Sequence, residues 1–242
     1  KEFSLKRFLS NPVALLLIIL MAFQAMSGGR YASPIEWFMG TIILLPGIVI
    51  GISFHEFAHA FVANLCGDPT PKHQNRITLN PAAHIDPIGF IALIFIGFGW
   101  GRPVIINPRN FKKPRRDELL VALAGVTLNL ILAFVFIALI RLLYEFAFDF
   151  IQTDLGFILN DIIISAAYIN IVLLVFNLLP IPPLDGFNVI TQLFNLRNTE
   201  FYYRVYNKGF LILMVLILFN VTGKVLVPIV SWIFSGLMGI FF

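Results

Sequence analysis

Two histidines four residues apart set the chemistry this chain could perform: His55-Glu56-Phe57-Ala58-His59. On a helix, positions i and i+4 lie on one face, one turn apart. Two imidazoles so placed can share one Zn²⁺. The intervening Glu56 lies near enough to take a proton from a water at the metal's open position. The alternative is a pair of structural histidines that bond to helix neighbours. The surroundings weigh against it, because the motif sits inside an apolar run, 40–66. Each ionisable residue there costs on the order of a few kcal/mol, and such residues mark function.

Zinc in a catalytic site takes a third protein ligand and keeps one position open. The best candidate is Asp185, at the end of Asn177-Leu-Leu-Pro180-Ile-Pro182-Pro183-Leu-Asp185-Gly186. Three prolines break the helix there, and irregular backbone at membrane depth is tolerated where it lines a cavity or packs in protein. A second reading of Asp185 stays open at this point: an N-cap for a helix running to Leu196.

The elements that must carry these residues are membrane helices. Of 242 residues, 59% are hydrophobic and 12% charged, with a mean hydropathy of +0.89. A soluble domain carries about 25% charge. Runs near the roughly 20 residues that cross a bilayer recur at 12–27, 40–66, 118–147 and 158–180, with a longer stretch at 206–242. That last stretch is interrupted near Asn220–Lys224 and fits one long helix or two shorter ones. The run at 12–27 follows Lys1, Lys6 and Arg7 as a signal peptide would, but no convincing cleavage site follows, and it is read as a retained helix.

A glycine-rich apolar piece, 87–100, is too short to cross and is expected to re-enter. The basic cluster at 101–116 and the acidic loop at 148–161 put the N-terminus, 67–117 and 181–207 on the cytoplasmic side. The lone Cys66 excludes an internal disulfide. No basic-aromatic patch suggests nucleic acid.

The expected fold is therefore an all-α polytopic membrane protein with five or six transmembrane helices. It has a three-helix core of 40–66, 118–147 and 158–180, and a re-entrant, β-like loop. The whole chain, 1–242, reads as one membrane-embedded unit, with its catalytic part at about 40–196 and peripheral helices at 12–27 and 206–242. Its setting is the lipid bilayer of the cell membrane, crossed several times from a cytoplasmic N-terminus. The sequence does not give its oligomeric state.

The motifs resemble those of the site-2 proteases, the intramembrane zinc metalloproteases of peptidase family M50. His55, Glu56 and His59 match the family's HExxH, and Asn177, Pro180, Asp185 and Gly186 match its second signature, Asn-x-x-Pro-x-x-x-x-Asp-Gly. The stretch Thr78–Pro87, with Phe98-Gly99-Trp100, looks like the short bacterial branch without PDZ or CBS domains. The resemblance implies one Zn²⁺ per chain held by His55, His59 and Asp185, with Glu56 as base. It implies that Asn177 holds the substrate or stabilises the oxyanion, and that the substrate is a transmembrane protein cut within or near the bilayer. In place of the family's frequent Gly-Pro-x-x-Asn, this chain has Gly125-Val126-Thr127-Leu128-Asn129, without the Pro.

Lesser candidates complete the expected site. Asn129 could bond across helices or reach the substrate. His84 and Asp86 could either reach the site from the loop, as a ligand or behind one, or simply cap and pin that loop. Asn170 reads as packing between helices. A substrate helix must unwind before its backbone can be cut, and its freed N–H and C=O groups then need partners. In Gly101–Asn107, the run Val104, Ile105 and Ile106, bracketed by Pro103 and Pro108, is expected to offer a strand edge for this; the alternative is a surface loop anchoring the next helix. A non-proteolytic transporter or scaffold is the alternative; a transporter would show paired helix interruptions in repeated halves, and none is found.

Overall fold

The computed structural model describes residues 33–96 and 99–242, with Pro12, Leu16 and Ile19; the expected helix at 12–27 otherwise lies outside the described residues. Among the described residues every regular element is helical: α1 (Pro34–Leu65), α2 (Thr70–His73), α3 (Pro81–His84), α4 (Pro87–Ile96), α5 (Pro114–Phe146), α6 (Phe148–Ile151), α7 (Asp154–Asn177), α8 (Asp185–Leu193), α9 (Glu200–Leu218) and α10 (Val221–Phe241). Five of these, α1, α5, α7, α9 and α10, are long and apolar enough to cross a membrane. The protein is a multi-pass membrane protein of the all-α class.

Local chemistry sets the helix ends. Ser33 accepts a hydrogen bond from the Glu36 N–H at 3.3 Å, with Pro34 in the first turn, so α1 starts six residues before the apolar run at 40. Thr153 accepts from the Gly156 N–H at 3.1 Å and starts α7. The stretch 206–242 resolves into two helices. Asn220, at φ 54°, takes a left-handed conformation that a continuous helix does not allow.

Helices α1, α5 and α7 pack against one another, and α10 lies on α5 and α7. Val126 and Ala133 of α5, Ile171, Leu174 and Val175 of α7 and Val230 of α10 form a buried cluster. Lipid tails are as apolar as these side chains, so close packing rather than water exclusion holds such helices together. Small residues allow that approach: a Cβ on Gly47 would lie 2.7 Å from the Ala166 Cα, and one on Gly51 2.5 Å from Leu173 Cδ1. Phe134, Leu142, Phe157 and Trp232 point outward, as lipid-facing residues do.

The segment expected to re-enter carries a short helix between two chain ends that meet. Helix α4 has ten residues, about 15 Å against the ~30 Å of a hydrocarbon core. The chain leaves and returns at one point: Ile85 and Gly101 form an antiparallel bridge, and the Arg102 N–H donates to the His84 carbonyl at 2.6 Å. Arg76 fastens both sides, donating to the carbonyls of Ala83 and Arg102.

The β-like part needs correcting. Beyond that bridge, 102–107 forms no ladder, and no strand occurs among the described residues. Two of its amides are bound by carboxylates instead: Val104 N–H donates to Glu56 at 3.0 Å, and Asn107 N–H to Asp68 at 2.6 Å. Asp68 is fully buried just past α1 and also accepts from the Thr70 N–H and hydroxyl and from the Asn110 amide. Burial alone would raise its pKa, but these hydrogen bonds outweigh it and hold the carboxyl below the ordinary range.

Candidate metal centre

Helix α1 presents His55 and His59, both buried, on the face that meets α5 and α7. They lie ten and six residues before its end at Leu65. Asp185, the first residue of α8, reaches the same point. Its Oδ2 lies 3.1 Å from His55 Nε2 and 3.2 Å from His59 Nε2, and the two Nε2 atoms are 3.0 Å apart.

The histidine protons follow from the partners. His59 Nδ1 faces the Val121 carbonyl at 2.7 Å, and His55 Nδ1 faces Asn129 Oδ1 at 2.7 Å. Both partner atoms only accept, so each neutral ring carries its proton on Nδ1 and leaves a bare lone pair on Nε2. Two lone pairs and a carboxylate oxygen therefore face one another at 3.0–3.2 Å. Asp185 Oδ2 is buried and accepts no hydrogen bond. Such a group is repulsive unless a cation lies among it.

Donors on a tetrahedral face around a metal at about 2.0–2.1 Å would lie about 3.3 Å apart. The observed triangle fits that size, and two imidazoles with a carboxylate fit zinc. The capping alternative for Asp185 is not realised: Leu184 occupies the N-cap of α8, and no side-chain cap bond forms.

Each ligand-bearing element is braced. A Cβ on Gly125 of α5 would lie 2.5–2.7 Å from His55 ring atoms, so only glycine admits the imidazole. Arg115 donates to the carbonyls of Gln192 and Leu193 at the end of α8, at 2.6 and 2.7 Å. Gln192 donates to Glu118 at 2.5 Å, and Arg197 pairs with Glu118. These contacts tie α8 to α5. The chain between α7 and α8 contains a cis Pro182–Pro183 peptide.

Glu56 is half-buried, one residue along from His55, with one carboxylate oxygen on the Val104 N–H. Asn177 ends α7, and its amide donates to the Leu173 carbonyl at 2.9 Å. Among the described residues no hydrogen bond links Asn177 to the His–His–Asp group.

Asn129 and His84 each realise one of the two roles open to them in the sequence: Asn129 bonds across helices, and His84 pins its loop. Asn129 does not face a substrate: it is fully buried behind His55, because α5 brings its amide under the ring. His84 is also fully buried and is not one of the clustered ligands; its Nε2 bonds the Thr78 carbonyl at 2.7 Å, which holds α3 in place. Of the three apolar residues at 104–106, Ile105 is exposed. Ile106 packs on the cluster of Ala63, Phe111 and Val121. Sequence reasoning missed the Val121 carbonyl, which no side-chain pattern reveals. It also missed the bond from Asn129 to Asn170 at 2.8 Å, signalled only by two polar residues in apolar helices.

An HExxH helix within a bundle of membrane-length helices, joined by a carboxylate from a following element, defines a membrane-embedded metallopeptidase. The model of peptidase family M50 matches residues 150–220. YwhC of Bacillus subtilis (strain 168), described as a candidate zinc metalloprotease, is 38% identical over 185 residues, covering 76% of this chain and 84% of the relative. Rip2 of Mycolicibacterium smegmatis (strain ATCC 700084 / mc(2)155), described in the same words, is 28% identical over 239 residues, covering 93% and 86%. Rip2 of Mycobacterium tuberculosis (strain ATCC 25618 / H37Rv) is 31% identical over 186 residues, covering 73% and 68%. No solved structure matches. The chain belongs to peptidase family M50 and is a zinc metalloendopeptidase.

Proposed function

We propose that this metalloprotease hydrolyses peptide bonds of membrane-protein substrates within or beside the bilayer, as in regulated intramembrane proteolysis or the clearance of membrane remnants. In this reading one zinc ion per chain is held by His55, His59 and Asp185. The carrying observation is the triangle of two bare imidazole nitrogens and a carboxylate oxygen, 3.0–3.2 Å apart, on a helix of membrane length.

When bound, zinc polarises water and the scissile carbonyl. Glu56 takes the proton from that water and delivers it to the leaving amine. In the resting chain its carboxylate is held by the Val104 N–H, which keeps it beside the histidines. Asn177, at the broken end of α7, gives a hydrogen bond to substrate or oxyanion through the N–H of its amide not spent on Leu173. The exposed backbone around Ile105 offers partners to an unwound substrate strand.

The catalytic unit we infer is 40–196, in the cell membrane. The basic residues of 101–116 support a cytoplasmic position for the N-terminus and the site.

The test is cleavage of a model single-span substrate in liposomes, with zinc measured on the same preparation. The unmodified chain should hold one zinc and cut. Glu56→Gln should hold one zinc and lose at least about 10²–10⁴ in rate. Full cleavage by Glu56→Gln, or an unmodified chain that binds no zinc, overturns the reading.

A further inference from the structure

We propose that Asn170 is a positioning residue for the metal site, acting through Asn129 to fix which nitrogen of His55 carries the proton. The inference rests on the reading of His55 as a metal ligand.

Asn170 sits in the middle of α7 and touches neither His55 nor Asp185 through any hydrogen bond among the described residues. It is fully buried, as is Asn129 on α5. An asparagine amide has one accepting and one donating end, and which end points where is set by its neighbours. Asn170 Nδ2 donates to the Ala166 carbonyl one turn back at 2.8 Å. A carbonyl only accepts, so this bond turns Asn170 Oδ1 toward Asn129.

Asn129 answers with its Nδ2, at 2.8 Å, and the same nitrogen gives its second N–H to the Gly51 carbonyl of α1 at 3.2 Å. Both donors of Asn129 are thereby committed, and its Oδ1 is left for His55 Nδ1 at 2.7 Å. His55 must then protonate Nδ1 and bare Nε2 toward Asp185. The chain of orientation runs Ala166, Asn170, Asn129, His55, and it crosses all three core helices.

The structure contains the reason for two partners on Asn129. Were its amide reversed, an N–H would meet His55 Nδ1, the ring proton would move to Nε2, and the ligand atom would be lost. The Gly51 carbonyl opposes that reversal through a longer bond, and Asn170 opposes it through the shorter one. With Asn170 removed, one N–H of Asn129 has no partner and the bias weakens. Partners of this kind behind a metal ligand change metal affinity by about 10–100-fold.

Positioning and packing predict opposite orders for two substitutions. Asn170→Leu is close in size and suits an apolar helix, yet offers Asn129 nothing to bond. Asn170→Asp is poorer packing in a membrane, yet keeps an acceptor toward Asn129. If it is protonated by burial, its hydroxyl also replaces the donor to Ala166.

The experiment measures zinc affinity of each purified folded variant by chelator competition, alongside its unfolding temperature. Asn170→Leu should bind zinc about tenfold more weakly than the unmodified chain, and Asn170→Asp should stay within about threefold of it. Asn170→Leu at unmodified affinity, or both variants falling equally, overturns the proposal. A second measurement needs no zinc. In zinc-free unmodified protein, ¹⁵N solid-state NMR of His55 should show the proton on Nδ1, and a proton on Nε2 overturns it. An unmodified chain that binds no zinc fails the proposed function instead, while the His55 proton, compared between the unmodified chain and Asn170→Leu, still reports on Asn170.

Discussion

Gly125 and His55 are built as a pair: a single added methyl on the glycine would press to within 2.5–2.7 Å of the imidazole, closer than any carbon rests. Gly125→Ala should therefore push the His55 ring off its position. Overpacking of this kind costs about 1–3 kcal/mol, and here it falls on a ligand. Zinc occupancy and cleavage should drop together. Gly236→Ala, in α10 with nothing within 4 Å, is the control. It should leave zinc unchanged and stabilise the helix by up to about 1 kcal/mol. Zinc measured after dialysis at fixed free metal decides; a Gly125→Ala protein with full occupancy would show that the ring can move freely.

Asp185 and Asn177 should separate metal binding from catalysis. Asp185 supplies one corner of the ligand triangle, whereas Asn177 makes no bond to it. Asp185→Ala should lose both zinc and activity. Asn177→Ala should keep zinc near stoichiometric while the rate falls about 10²–10³-fold. Elemental analysis with single-turnover rates is the check, and equal zinc in all three proteins would remove Asp185 from the ligand set.

At 102–107 the amides of Arg102, Val104 and Asn107 are already spent, on the His84 carbonyl, Glu56 and Asp68, and the last two flank the exposed Ile105. Ile105→Pro should remove an amide offered to substrate, at about 1–3 kcal/mol for a buried group left unpaired. Cleavage should slow by about 5–150-fold, with zinc normal. Ile105→Val keeps the amide and should match the unmodified rate. Equal rates in all three would exclude backbone pairing at this position.

Asp68 should be a stability residue with a signed pH dependence. Its folded pKa is lowered, so its contribution is complete above the unfolded carboxylate pKa and is lost as pH falls through the folded value. Asp68→Asn should destabilise the end of α1 and the 107–110 turn by about 1–3 kcal/mol at neutral pH. The gap from the unmodified chain should shrink toward acid. Unfolding midpoints in detergent, taken from neutral pH downward, test this; a constant gap would refute the linkage.

Much of this was legible in residue types and spacing. His55, Glu56 and His59 are local in sequence, and apolar length alone locates the helices. The ends were misplaced where polar caps extend a helix past its apolar run, as Ser33-Pro34 and Thr153 do. The strand at 101–107 was inferred from β-branched residues, but a ladder needs a neighbour, and carboxylates take two of its amides instead. Whether Asn129 bonds across helices or reaches substrate stayed open, because sequence gives a residue's helix but not the face it turns to a partner 74 positions away. By type alone His84 could ligate a metal or pin its loop, and its bond to the Thr78 carbonyl realises the second.

The depth of the histidines along α1 bears on what becomes of the products. His59 lies six residues before the end of the helix, and His55 ten, or about 9 and 15 Å of rise. Under the proposed function, and with the end of α1 at the bilayer edge, a substrate span cut at that level divides unequally. The shorter apolar stub, roughly six to ten residues, is well below the roughly 20 needed to hold a protein in the bilayer. The longer piece still has most of its span. Under the proposed function, one cut therefore frees the domain on the near side into water and leaves the other fragment embedded, so the placement of two side chains on one helix decides which half departs.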